Sequence, residues 1–395
     1  MKEGWQTKTV GEVCEVMNGG TPKTGVPEYW DGVHRWITPA EMGKRISPYV
    51  SDTERKITEL GLRNSSARML PPNSVVLSSR APIGHLVINT EPMATNQGCK
   101  GLIPSSQIET KFLYYYLRSI VDLLNSLGTG ATFKELSGSK LKEVTVPIPP
   151  LAEQQRIVGL LDEAFEGLAI AKANAEKNLQ NARALLESHL QSVFTQRGPG
   201  WVERKLGELI EIQNGYAFKS TDYTDAGFFV IRISNVQDGE ITLANPRFIR
   251  LADNKLQRFI LNAGDILISL TGNIGRVGII QENQLPAVLN QRVARITIKD
   301  ESADRDFIYR FLLSRTFRES LQEAGHGAAQ QNVSTKDIES VRLSLPNKAE
   351  QRSIVDGFEN FAAETQRLTR IYEQKLAALE ALKKSLLHQA FSGNL

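Results

Sequence analysis

The chain has 395 residues, 41% of them hydrophobic and 23% charged, and a formal net charge of +3. No run reaches the ~18 consecutive apolar residues of a membrane span, and the opening Met1-Lys2-Glu3-Gly4-Trp5 lacks the apolar core of a signal peptide. Cys14 and Cys99 are too few for a disulfide framework or a four-ligand zinc site, so a cytoplasmic protein of two or three domains is expected, with each cysteine a small core residue.

Residues 1–150 read as a first globular domain. It opens Trp5-x-x-Lys8-x-Val10-Gly11-Glu12-Val13-x-Glu15-Val16-x-Asn18-Gly19. A short β-rich run follows at Val33–Thr38, then Asn73–Arg80 leading into a glycine turn at Ile83-Gly84, Asn96-Gln97 before a further strand, an amphipathic helix over Phe112–Leu124, a polar glycine loop at 128–133 and a closing strand at Val144–Val146. Residues 151–198 read as one long helix. Its apolar positions include Ile157, Leu161, Ala164, Leu168, Ala171, Ala175, Leu179, Ala182, Leu186 and Leu190, in steps of three and four. The two prolines before it and Gly198-Pro199 after it mark its limits. From Ile157 to Phe194 it would extend about 57 Å at ~1.5 Å per residue, which calls for an equally long partner.

The remaining half repeats the first. Residues 199–347 open Trp201-x-x-Arg204-x-Leu206-Gly207-Glu208-Leu209-x-Glu211-Ile212-x-Asn214-Gly215, at an offset of 196. They continue with a β-rich run at Phe228–Ser234, Gly264–Thr271 leading into a glycine turn at Ile274-Gly275, Asn290-Gln291, a helix over Phe307–Leu321, a glycine loop at 325–330 and a strand at Val341–Leu343. Residues 348–395 form the partner helix, entered through Ala349-Glu350-Gln351 where the first has Ala152-Glu153-Gln154. Phe358, Phe361, Thr365, Leu368, Ile371, Leu379, Leu382 and Leu386 form its seam. Asn347 is placed to cap it, with Glu350 reaching back. A shared entry and exit at one offset indicate duplication of a two-part module. The fold class expected is mixed α/β: two pseudo-repeat domains joined by two long antiparallel coiled-coil helices.

No catalytic constellation emerges. There is no P-loop, no Asp/Asn-Pro-Pro-aromatic tetrapeptide of the kind that holds a target nitrogen in amino-methyltransferases, and no clustering of the five histidines or the carboxylates. Binding signals are stronger. Polar and basic residues gather beside glycines at Asn18 and Lys23, Ser78 and Arg80, Thr132 and Lys134 in the first copy. In the second they are Asn214 and Lys219, Arg232 and Asn235, Thr271, Asn273 and Arg276, Gln330 and Gln331. Arg and Lys can reach guanine edges or phosphates, and Asn and Gln can pair with adenine. Turn geometry alone could account for any one of these loops; their recurrence in two copies favours recognition. The near-neutral charge means that nucleic acid, if it is the ligand, is held by local arrangement rather than bulk attraction.

The doubled helix entries, P-I-P-P-L-A-E-Q-Q-R-I-V at 147–158 and L-P-N-K-A-E-Q-R-S-I-V at 345–355, with the doubled Gly-Glu-x-x-Glu-x-x-Asn-Gly openings, resemble the specificity subunits of type I restriction–modification enzymes. The resemblance covers essentially the whole chain; Asn347 departs from it, standing where the first entry has its second proline. It implies two target-recognition domains, each reading one half of a split asymmetric sequence in double-stranded DNA, and helices that set their spacing. Leu161, Leu168, Leu179, Leu186, Phe358, Phe361, Leu368 and Leu379 would serve the helix pair and the docking of two modification subunits. Those subunits would carry S-adenosylmethionine and methylate adenine N6. Restriction subunits using ATP and Mg would join them, leaving no cofactor or metal in this chain and no role for a membrane. A related methylation-based defence system and a coiled-coil scaffold with no DNA role are the alternatives.

Overall fold

A computed structural model describes residues 4–130, 134–196, 198–250, 254–324 and 332–395. The chain divides into two compact units, Met1–Glu176 with Gln374–Leu395, and Lys177–Glu373. Each therefore contains one globular repeat, one end of its own long helix and the opposite end of the other.

In the first unit the strand Gln6–Thr9 pairs antiparallel with Thr145–Ile148, which brings the opening of the repeat against its closing strand. A five-stranded sheet follows in the order Cys14–Asn18, Cys99–Pro104, Val75–Ser79, Ile83–Asn89, Tyr49–Val50, and a second sheet is built around Trp30–Ile37. Every residue of Val75–Ser79 is buried, as expected of a central strand covered on both faces. The second unit repeats the plan. Val202–Lys205 pairs with Arg342–Leu345, and a sheet runs Ile210–Asn214, Val293–Ile298, Ile266–Ser269, Val277–Ile279. Register is preserved: Lys100 lies opposite Asn18 and Leu77, as Ala294 lies opposite Asn214 and Ile268.

Several elements differ in extent from the sequence expectation, each for a local reason. The single helix expected over Phe112–Leu124 is two, Thr110–Ser119 and Val121–Leu127, broken where Ile120 leaves helical geometry. Its counterpart is Arg305–Leu313 and Arg315–Ala324, because the hydroxyl of Ser314 accepts from the Phe317 amide and starts a new helix. The strand Phe228–Ile231 stops short of Ser234 because Asn235 Oδ1 captures the Arg232 amide. Thr38 caps a short helix, Pro39–Gly43, instead of ending a strand.

The long helices are Leu151–Thr195 and Lys348–Ser392, 45 residues each, or about 67 Å. Asn347 caps the second through the Glu350 amide at 3.0 Å, while the Glu350 carboxylate accepts from the Trp201 indole at 2.9 Å. In each unit the helical segments run antiparallel. Lys172 meets Glu380 in the first, and Arg183 meets Glu373 in the second. Along the seam Leu161 and Phe358 are buried, and Leu168, Leu179, Leu186, Phe361 and Leu379 are half-buried. Leu368, Ile371 and Leu382 are corrections to the expected seam: they are 37%, 43% and 47% exposed. From Thr365, which is buried as expected, the strict four–three alternation of a coiled coil instead turns Thr369, Tyr372 and Leu376 inward. Thr365 is tolerated there because its hydroxyl is satisfied by the carbonyls of Phe361 and Ala362.

One residue explains the doubled helix entry. The side chain of Gln154 is fully buried. Its Oε1 accepts from the Glu109 amide (2.8 Å), and its Nε2 donates to the carbonyls of Gln107 (3.0 Å) and Pro149 (2.8 Å). Gln351 repeats this with the Asp304 amide (2.7 Å) and the carbonyls of Ser302 and Pro346 (2.8 Å each). An amide is the side chain that offers one acceptor and two donors here. It fastens each long helix to its globular repeat.

Candidate nucleic-acid interface

In each unit two of the polar loops leave the main sheet at the same end: those after Asn18 and Ser79 flank the start of Cys99–Pro104, and those after Asn214 and Ser269 flank the start of Val293–Ile298. In the first, Asn18 is the exposed end of its strand, and Gly19 donates its amide to Cys99. A Cβ on Gly19 would stand 1.9 Å from the Asn96 carbonyl oxygen, so the Asn-Gly pair serves close backbone approach. Gly215 is held the same way against Asn290, at 2.2 Å. Asn96 braces the loop, donating to Thr21 Oγ1 (3.0 Å) and accepting from the Gly98 amide (2.8 Å), which leaves Gln97 exposed. Arg80 lies beside this loop and bridges to Glu135, one residue after exposed Lys134. Lys23 is exposed on the next loop, where its carbonyl accepts from the Trp30 indole.

Ser78 is a correction. It is fully buried; its hydroxyl donates to the Pro82 carbonyl and accepts from the His85 amide, both at 2.8 Å. Ser269 makes the same pair of bonds four and seven residues on, to the Asn273 carbonyl and from the Arg276 amide. These serines hold the hairpin turn whose tip faces outward.

In the second unit Asn214, Lys219 and Asn273 are exposed. Asn235 is a correction: it is fully buried and bonds the Arg232 amide and the carbonyls of Thr242 and Ala244. Arg232 is tied to the Asn245 carbonyl at 2.6 Å and Arg276 to Gln237 at 2.5 Å, so both brace loops. Thr271 bridges to Asn332 as Arg80 does to Glu135, and its hydroxyl finds no partner among the described residues. An open cleft lies here, lined by Ile233, Thr271, Gly272, Gln291, Arg292 and Asn332. A neighbouring cleft shares Gln291 and adds Asn214, Tyr216, Arg258 and Phe259. Thr132, Gln330 and Gln331 lie outside the described residues.

Gln97, Gln291, Arg292, Glu135 and Lys100 belong to these surfaces but did not stand out as candidates. The Asn-Gln match at 96–97 and 290–291 was the available signal for the first three. Burial pulls the Lys100 ammonium below the ordinary lysine value, and Glu135 opposes that shift. Burial pushes the Cys14 and Cys99 thiols up to about 12, consistent with core packing. No group of metal-ligating side chains occurs among the described residues, and no helix there is long and apolar enough to cross a membrane.

Comparison with known proteins places this architecture. The family model for the type I restriction modification DNA specificity domain matches twice, at residues 2–180 and 199–380. The MjaIX specificity subunit of Methanocaldococcus jannaschii is 32% identical over 230 residues, 53% of this chain and 52% of that one, so the alignment spans about half of that relative's length. The MjaVIII subunit of the same organism is 23% identical over 412 residues, covering 100% of this chain and 93% of its own. Among solved structures, the HsdS subunit from Thermoanaerobacter tengcongensis shares the fold with a TM-score of 0.68 at 21% identity, covering 100% of this chain and 98% of that one. Two matches that together span most of the sequence establish that the chain belongs to the type I restriction–modification specificity-subunit family.

Proposed function

We propose that this chain is the DNA sequence-specificity subunit of a type I restriction–modification complex and that each unit reads one half of a split, asymmetric target. The observation that carries the reading is one scaffold, built twice with the same Ser, Gly and Gln braces, that presents different side chains at the same tips: Arg80 and Glu135 in one copy, Thr271 and Asn332 in the other. Such tips suit major-groove readout, in which arginine favours guanine and Asn or Gln favours adenine.

The chain carries no chemistry of its own in this reading. Two modification subunits bind S-adenosylmethionine and methylate adenine N6, and restriction subunits bring ATP, Mg and cleavage. The complex works in the cytoplasm. The exposed Leu160, Ile170, Leu185, Leu368, Ile371 and Leu382 of the long helices are surfaces for the modification subunits to cover. The long helices set the gap between the half-sites.

The test is genome-wide adenine methylation in a strain with and without this gene, its modification partner present. A split motif that vanishes on deletion supports the reading. A motif that persists unchanged contradicts it.

A further inference from the structure

The bridge between the two central strands and the loop after the paired helices is the same in both units, but its chemistry is not. In the first unit Arg80 faces Glu135 across the bridge, with Nη1 3.8 Å from the carboxylate, and the amide of the next residue, Leu136, bonds the Ser79 carbonyl at 2.9 Å. Behind them is Lys100, whose side chain is only 7% exposed and whose Nζ lies 3.8 Å from the other Glu135 oxygen. Among the described residues this ammonium makes no hydrogen bond; Glu135 is the anion it faces. In the second unit the Val333 amide bonds the Leu270 carbonyl, also at 2.9 Å, yet the three positions are Thr271, Asn332 and buried Ala294. The scaffold therefore needs no lysine at that place. Burying one costs desolvation that packing does not return.

The arginine is also exchanged between strands. Gly98, the counterpart of Arg292, would place a Cβ 3.1 Å from the Arg80 side chain. A residue there would crowd Arg80. In the second unit Thr271 is small and Arg292 is present. Each unit thus brings one guanidinium to this spot by a different route.

We infer that Glu135, set by buried Lys100, is a positioning residue that commits Arg80 to a guanine edge in the first half-site, an inference resting on the proposed DNA-reading role. A carboxylate 3.8 Å from the guanidinium repels an approaching phosphate, which is anionic. It leaves the neutral O6 and N7 acceptors of guanine as partners for the outer N–H groups. Lys100, 3.8 Å from the same carboxylate, leaves the trio at a formal net +1, so the surface stays attractive to DNA. A carboxylate that only braced the loop would need no second cation behind it.

The experiment reads the methylation motif in cells that express the full chain with its modification partner, comparing wild type with Glu135→Gln, Arg80→Lys and Lys100→Met. Arg80→Lys keeps the charge and removes the fork; Glu135→Gln keeps the shape and removes the repulsion. Both are expected to make one and the same guanine position of the first half-motif degenerate, cutting discrimination there by about ten- to a hundredfold. Lys100→Met should do so partially, and the second half-motif stays intact in all three. If Arg80→Lys leaves the motif unchanged, or the two variants relax different positions, the inference is overturned. Should Glu135→Gln abolish methylation while Arg80→Lys relaxes no position, Glu135 is a structural brace and the inference also fails. A wild-type chain that supports no split motif refutes the underlying DNA-reading role instead.

Discussion

Replacing Gln154 with methionine tests how the long helix is fastened. The change preserves volume but removes one acceptor and two donors from a fully buried site. The Glu109 amide and the carbonyls of Gln107 and Pro149 are left without their partner. At a net value of ~1 kcal/mol per bond the loss is about 3 kcal/mol, and more if the three groups stay dry. For a unit of this size that corresponds to a fall of roughly 6–12 °C in its melting transition. Calorimetry of the full chain measures it. Gln351→Met should lower the transition of the second unit by a comparable amount, since it strips the same set of partners. Gln155→Met, at an exposed neighbour, should shift stability by no more than about 0.5 kcal/mol. A loss below about 1 kcal/mol in Gln154→Met would refute the fastening role, because the buried groups would then have found other partners at no cost.

Other predictions follow the same geometry. Ser78→Ala and Ser269→Ala each remove a donor and an acceptor inside a turn, so each should cost about 1–2 kcal/mol and loosen protection of the His85 or Arg276 amide in hydrogen exchange. Gly19→Ala forces the strand end away from Asn96 and should abolish methylation directed by the first half-site, read by sequencing modified DNA. Lys172→Ala should leave stability within about 1 kcal/mol, since its pair with Glu380 is half-exposed; a urea melt checks it. Cys14 and Cys99 should resist alkylation in the folded chain up to about pH 9, because burial holds both thiols protonated to about 12. Their raised values in the folded state also mean that stability falls as pH rises from about 8.5, where unfolded thiols ionise, toward 12. Rapid labelling at neutral pH would contradict that packing.

The duplicated plan was legible because it lives in periodicity and spacing. The three-and-four steps of Leu161, Leu168, Leu179 and Leu186, and the shared Ala-Glu-Gln entries, sufficed for the long helices and their pairing. The second seam was read less well. Thr365 belongs to the seam as expected, but Leu368 and Ile371 are as hydrophobic as true seam residues, and only the register of the partner helix brings Thr369 and Tyr372 inward instead. The site was legible at the level of loops but not of side chains. Ser78 and Asn235 have the composition of contact residues, yet their partners are carbonyls and amides distant in sequence, which composition does not reveal. Lys100 was overlooked for the converse reason: it stands in a strand, where a lysine reads as solvent-facing, and only the fold shows it buried behind Glu135.

If each unit reads its own half-site, a change confined to one should alter one half of the motif alone. The most direct measurement is the methylation motif written in cells by the Gln291→Ala, Arg292→Ala double variant, in complex with its modification partner. Both residues line the clefts of the second unit alone. The expected result is a motif whose second half becomes degenerate while its first half and the gap are unchanged. Equal degradation of both halves, or no change in either, would contradict it.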